Sequence, residues 1–237
     1  MKKLLMIFIL FSAAAYPQKK DPEEILNKVK AKFESVNDYV VDVNVKVDVE
    51  FLKVPPSNAT IYFKQPDKVH IESDKFAMLP KEGLNFSPLS FLKKKYTPIF
   101  EGEENYKGAE TYVIKIIPIG NDGDIVLSTF WIDKKEYIIR KVESATKIAG
   151  TFTIEMDYPG IENKYHLPSQ MVFSFDVSKS NLPASINDGM NPDDPPQKDK
   201  KGKKGVFKTA GKVTINYSNY KVNKGIDDSI FEEKKKK

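Results

Sequence analysis

The residue types able to carry out chemistry are thinly spread along this chain of 237 residues. Its two histidines, His70 and His166, each fall at the edge of a predicted strand. Neither has a second histidine or a fixed set of acids around it, so neither shows the spacing of a metal ligand. Cysteine is absent, which removes disulfides, thiolate catalysis and cysteine-based zinc sites. A GxSxG nucleophile turn and a phosphate-cradling glycine loop are missing too. Asp48 and Glu50 share one parity of a predicted strand and in principle form an acid pair, although a solvated strand face accounts for them better. Asn58-Ala59-Thr60 matches a glycosylation acceptor, a short pattern of high chance frequency that matters only in a eukaryotic secretory route. Trp131 is the sole tryptophan and Arg140 the sole arginine, with core packing and a surface ion pair as their simplest roles. Nothing in this inventory argues for an enzyme, and no cofactor or metal site is expected.

What the chain has instead is patterned apolar surface. From Tyr39 to Val54 it reads YVVDVNVKVDVEFLKV, with Tyr39, Val41, Val43, Val45, Val47, Val49 and Phe51 on one parity and Asp42, Asn44, Lys46, Asp48 and Glu50 on the other. A period of two predicts a strand with one face in an apolar interior and one in water. At roughly 3.3 Å per residue the strand would run about 45 Å, far beyond the usual length, which points to a large, curved antiparallel sheet. The functional question is what the valines face, a ligand or side chains of the same protein.

The elements around it follow in order. Asp21-Pro22-Glu23-Glu24 is a helix start, with a capping acid, proline at the first helical position and acids near the positive dipole end. Ile25, Leu26, Val29, Phe33 and Val36 form one stripe that predicts packing on the sheet. Residues 59–64 and 68–73 predict two strands around a turn at Gln65-Pro66-Asp67. Residues 76–96 keep neither period while carrying Phe76, Met78, Leu79, Leu84, Phe86, Leu89, Phe91 and Leu92, which reads as a mobile loop with a short helix near 88–95. A loop this apolar either plugs the core or lids a cavity. Strands are predicted again at 97–103, 109–118, 125–133, 137–144, 151–158 and 167–177, separated by turn residues as in an all-β barrel or sandwich. Residues 179–212 hold eight lysines against four aspartates among prolines and glycines, and predict a disordered or surface excursion. Val213, Ile215 and Tyr217 restore a last strand, and 223–231 closes the chain before a lysine tail at 234–237.

The net charge of +5 is carried by the ends and by the 179–212 segment, and the rest of the body is acidic, so nucleic acid is not an expected partner. Met1 to Ala15, with two lysines, an apolar run and Ser12-Ala13-Ala14-Ala15, reads as a secretory signal. The expected domain organisation is a signal at 1–15 and a single domain over 16–237. Without a cysteine for lipid attachment, the exported protein is expected free in the periplasm, as a monomer.

Six stretches in this order carry a resemblance: the amphipathic helix, the very long first strand, QPDKVHIE, WIDKKEYIIRKVE, YHLPSQMVFSF and the closing VTINYSNYKVNKGIDDSIFE. Together they resemble the LolA-like outer-membrane lipoprotein carrier superfamily over nearly the whole mature chain apart from 179–212. The resemblance implies a mainly β fold, an incomplete and strongly curved antiparallel half-barrel with an N-terminal helix and a short helical lid over its open side. It also implies a cavity that holds acyl chains of a lipid or acylated lipoprotein, carried toward the outer membrane between donor and acceptor handover proteins. Relatives of the same shape bind other lipids or act as envelope regulators, which leaves a partner-binding or lipid-sensing module as the alternative. The arginine on the early sheet with which such carriers close their lid has no counterpart, since Arg140 lies elsewhere and Lys46 is on the polar parity. The expected cavity lining is Val41, Val43, Val45, Val47, Val49 and Phe51 from the strand, Phe76, Met78, Leu79, Phe86, Leu89, Phe91 and Leu92 from the loop, and Trp131.

Overall fold

The computed structural model describes residues 20–49, 54–73, 90–120, 124–147, 150–158, 165–178 and 208–232. Helix α1 (Pro22–Glu34) starts where the sequence predicts, with the Asp21 side chain accepting from the Glu23 N–H at 2.9 Å. Ten strands follow: β1 (Asp38–Val49), β2 (Ser57–Lys64), β3 (Lys68–Glu72), β4 (Tyr96–Tyr106), β5 (Ala109–Pro118), β6 (Ile125–Asp133), β7 (Ile139–Thr146), β8 (Thr151–Asp157), β9 (Gln170–Ser178) and β10 (Lys208–Val222). A short helix α2 (Ser90–Lys93) precedes β4, and a 3-10 turn at Asp228–Phe231 follows β10.

The strands form one antiparallel sheet in the order β3-β2-β1-β10-β9-β8-β7-β6-β5-β4, with β3 and β4 left as its two edges. The sheet is therefore open, the incomplete barrel that the resemblance implies, built as the large antiparallel sheet that the alternation pattern predicts. Last strand β10 inserts beside first strand β1, and this long-range pairing carries the central ladder from Tyr39↔Val222 to Val49↔Gly211. β10 begins at Lys208, so the excursion expected to run through Lys212 ends sooner: pairing with Ser178 through Gln170 on β9 holds these lysine-rich residues in the sheet.

One side of the sheet carries the core. Ile25, Leu26 and Val29 of α1 join Val41, Val43, Val45, Ile61, Tyr112, Ile114, Phe130, Ile132, Ile139, Val142, Ile154, Met171 and Ile215 in one cluster. Burying each large aliphatic side chain contributes roughly 1.5–3 kcal/mol, so this face dominates stability. Ser128 and Ser144, both fully buried, satisfy each other with a 2.7 Å hydrogen bond across β6 and β7.

α1 is tied down along its length. Lys20, just before it, bonds Glu103 on β4, and Lys30 Nζ donates to the Tyr96 hydroxyl at 2.8 Å. At its other end Gln65 in the β2–β3 turn donates through Nε2 to the carbonyls of Val36 and Phe33, while the Gln65 N–H reaches the Asn37 carbonyl. Lys93 of α2 donates to the Pro66 carbonyl at 2.9 Å, and the Ile119 N–H bonds the Lys95 carbonyl, which links the β2–β3 turn to the β4–β5 side of the sheet.

Candidate functional site

Strand parity sets the inner face and interstrand register carries it across the sheet. Val43, Val45, Val47 and Val49 stand opposite Tyr217, Ile215, Val213 and Gly211 on β10. Those in turn face Met171, Phe173 and Phe175 on β9, and the last two face Ile154 and Phe152 on β8. The face is not uniformly covered. Val41, Val43 and Val45 are 0%, 3% and 1% exposed within the cluster that includes α1, so the protein's own side chains fill this part of the valine row. Further along the same row Val47, Val213, Phe152, Phe173 and Phe175 are only half-buried. Phe173 lies 5.3 Å from Phe152 and 4.9 Å from Phe175, ring to ring, so three phenylalanines make a continuous aromatic wall.

A second half-buried set lies toward the start of β1. Tyr39 stacks on Phe63 at 5.0 Å and meets Tyr220 edge-on at 5.8 Å, and Tyr220 stacks with Tyr217 at 6.1 Å. Residues three apart on a strand normally face opposite sides. Here the register between β1 and β10 slips between Val40 and Asp42, and Asn219 takes φ 56°, a bulge that turns Tyr217 and Tyr220 to the same side. The side chain of Asn219 secures the bulge by donating to Asp42 Oδ2 at 3.0 Å. Burial pushes the Tyr39 phenol up to about 12, and burial followed by the fields of neighbouring phenols drives Tyr217 and Tyr220 higher still.

The expected lining separates accordingly. Val41, Val43, Val45 and Val49 are on the inner face but sealed, Val47 is on it and accessible, and Leu92 is buried in the cluster at 6% exposure. Phe91 belongs to α2, with nothing described of its side chain, and Phe51, Phe76, Met78, Leu79, Phe86 and Leu89 lie outside the described residues. Trp131 is placed on the opposite face from this lining. Its neighbours Phe130 and Ile132 point inward at 0% exposure, while its indole N–H donates to Glu104 at 2.9 Å and Lys141 sits 4.1 Å over its ring. Phe152, Phe173, Phe175 and Val213 share the apolar parity of their strands, a signal present in the sequence. Tyr220 needed the bulge.

The remaining candidates for chemistry are otherwise engaged. Arg140 makes a 2.8 Å ion pair with Asp133, which is 6% exposed. Desolvation opposes ionisation of Asp133, but the N–H groups of Glu136 and Lys135 and the Arg140 guanidinium outweigh it and hold the carboxyl below its ordinary value. His166 lies 3.4 Å from Glu136, and His70 packs beside Tyr62. Among the described residues no group of three metal-ligating side chains occurs, and no helix is long and apolar enough to cross a membrane. On the outer face a cleft of about 540 Å³ is lined by Asp42, Asn44, Asn58, Thr60, Glu72 and Ser218. Asn44 bonds Asn58 there and Thr60 bonds Asp42, so the sequon residues serve the sheet's own polar network.

An open antiparallel sheet, a helix packed against its inner face and a partly uncovered apolar stretch of that face define a half-barrel scaffold. No protein-family model and no curated protein sequence matches the chain. Among solved structures it is similar to a DUF1329 family protein from Desulfovibrio piger, at 13% identity and a TM-score of 0.58, covering 90% of this chain and 98% of that one. It is also similar to a LolA superfamily protein from Nitrosomonas europaea, at 12% identity and a TM-score of 0.53, with the same 90% and 98% coverage. The chain has the LolA-like fold.

Proposed function

We propose that this protein is a periplasmic carrier that shelters acyl chains of a lipid or an acylated lipoprotein on the inner face of its sheet, for transport toward the outer membrane. The observation that carries the reading is the half-buried wall of Val47, Val213, Phe152, Phe173 and Phe175, continuous with a sealed core yet left accessible. Each methylene transferred from water to such a wall contributes roughly 0.8 kcal/mol, so a single chain supplies useful affinity without polar chemistry. The sealed valines restrict the cargo to that wall and the space beside it. Phe51 and the apolar residues of 76–89 are proposed to complete the lining, and handover to an acceptor of greater affinity would release the cargo. Organic extraction and mass spectrometry of the purified protein test this, together with titration of a fluorescent acyl probe. Co-purifying acyl lipid and saturable probe binding are expected. Recovery of a stoichiometric protein partner with no lipid and no probe binding would overturn it.

A further inference from the structure

Among the described residues the exposed large apolar side chains are Ile99, Ile117, Ile119 and Val126, at 39%, 40%, 60% and 43% exposure. All four belong to one corner of the sheet, where β4 begins, β5 ends and β6 begins. Register gives their direction. Ile114 and Ile116 of β5 are buried in the core, which turns Lys115 and Ile117 to the outer face, and Ile99 stands opposite Lys115. The Ile119 N–H bonds the Lys95 carbonyl, which continues this ladder past β5 and keeps Ile119 on the parity of Ile117. Val126 lies two residues before Ser128, the partner of Ile116, at the same end of β6. Single exposed aliphatics are ordinary on a protein surface, whereas their collection at one corner marks a contact surface.

Lysine rims this corner. Lys93, Lys94 and Lys95 lie exposed just before β4, and Lys147, whose N–H bonds the Asp124 carbonyl, flanks the start of β6. Residues 93–101, 115–126 and 147 carry five lysines against three acids, and one of those acids, Glu101, is held by Lys115 at 2.8 Å. Lys93 donates to the neutral Pro66 carbonyl, which leaves its charge in place. The corner is thus positive on a body that is otherwise acidic.

This composition selects the partner. Protein interfaces favour aromatic residues and arginine at their centre and are poor in lysine, and the exposed set here holds neither aromatic nor arginine. Strand addition is also blunted, because Pro98 in edge strand β4 has no N–H to offer an incoming strand. Aliphatic tips ringed by lysines suit a lipid surface, where the tips enter the acyl boundary and the ammonium groups remain among anionic headgroups.

We propose that this corner of the outer face docks on an anionic lipid surface, with Ile117 and Ile119 entering the acyl boundary and Lys93 and Lys95 meeting the headgroup phosphates. The surface lies on the face opposite the proposed acyl lining and goes beyond the carrier reading.

The test is flotation of the chain, without its expected signal at 1–15, with vesicles of phosphatidylcholine alone or of an equal mixture with phosphatidylglycerol. Wild type is compared with Ile117→Ser/Ile119→Ser and Lys93→Ser/Lys95→Ser. The control is Lys46→Ser/Lys221→Ser, which removes two exposed lysines of β1 and β10 away from the corner. Thermal melts confirm that each variant is folded. Wild type should float with the mixed vesicles and far less with phosphatidylcholine alone. Each corner variant should weaken partition into the mixed vesicles by about tenfold, and the control should change it by less than about twofold. Wild type that stays off the mixed vesicles, an isoleucine variant that floats like wild type, or a control that loses as much as the lysine variant overturns the proposal. A wild-type dimer in solution that the isoleucine variant breaks assigns the corner to a second copy and overturns it too. An acyl probe titrated without vesicles separates the two readings: corner variants should bind it as wild type does, and wild type that floats but binds no probe fails the carrier reading alone.

Discussion

Three consecutive positions of β1 distinguish core, solvent and proposed lining with one substituent. Val45 is 1% exposed in the cluster, Lys46 is exposed opposite Thr214, and Val47 is half-buried opposite Val213. Replacing each by glutamate therefore places the same group in three environments. At Val45 the change removes roughly 1.5–3 kcal/mol of apolar burial and forces a carboxyl into the core at a further cost of several kcal/mol. The expected loss of at least about 4 kcal/mol is a large part of the 5–15 kcal/mol typical of a domain. Lys46→Glu should stay within about 0.5 kcal/mol. Val47→Glu should cost only about 1 kcal/mol in stability, since its site is already partly wet, but should weaken acyl binding by at least about tenfold by setting a charge against the chain. Urea unfolding followed by circular dichroism reads the first two effects. With a slope of about 2 kcal/mol per molar, the Val45 variant should lose about 2 M in midpoint or fail to fold. Equal losses at Val45 and Lys46 would show the two faces to be misassigned, and unchanged binding in a folded Val47→Glu variant would remove Val47 from the lining.

Two further outcomes follow from the fold. Leu26→Ala, at a fully buried position of α1, should cost about 2–5 kcal/mol, read as a fall in the urea midpoint, because the rigid sheet beneath cannot collapse into the space. Asp133 contributes stability that is present above its ordinary carboxyl value of 3.8 and is lost as pH falls through its lower folded value. Asp133→Asn should therefore be less stable than wild type at neutral pH, with the gap closing as unfolding midpoints are followed below the ordinary carboxyl value of 3.8. A gap independent of pH would mean that the Asp133–Arg140 pair is not what holds the carboxyl ionised.

The amino-acid sequence determined most of the elements, because alternation with period two leaves one reading where polar and apolar residues strictly take turns. β1 shows this, since Asp42, Asn44, Lys46 and Asp48 could not enter a core and so fixed the valines inward. The helix start at Asp21-Pro22 was legible for a similarly local reason, a capping side chain and a proline whose backbone suits only the first turn.

Tertiary structure decided the rest. β6 has apolar residues on both parities, so its sequence could not say whether Phe130 or Trp131 faces the core, and pairing with Val142 and Lys141 on β7 settled it. Likewise alternation set the direction of every valine in β1 but not its cover. Val41 to Val45 are sealed within a cluster that draws on α1 and on strands across the sheet, while Val47 stays half-buried, a matter of contact between segments remote in sequence. The tyrosine cluster depended on a bulge at Asn219, and one inserted residue reverses which side chains share a face without altering composition. A strand's period is a property of its own residues, whereas what lies against it is a property of the whole chain.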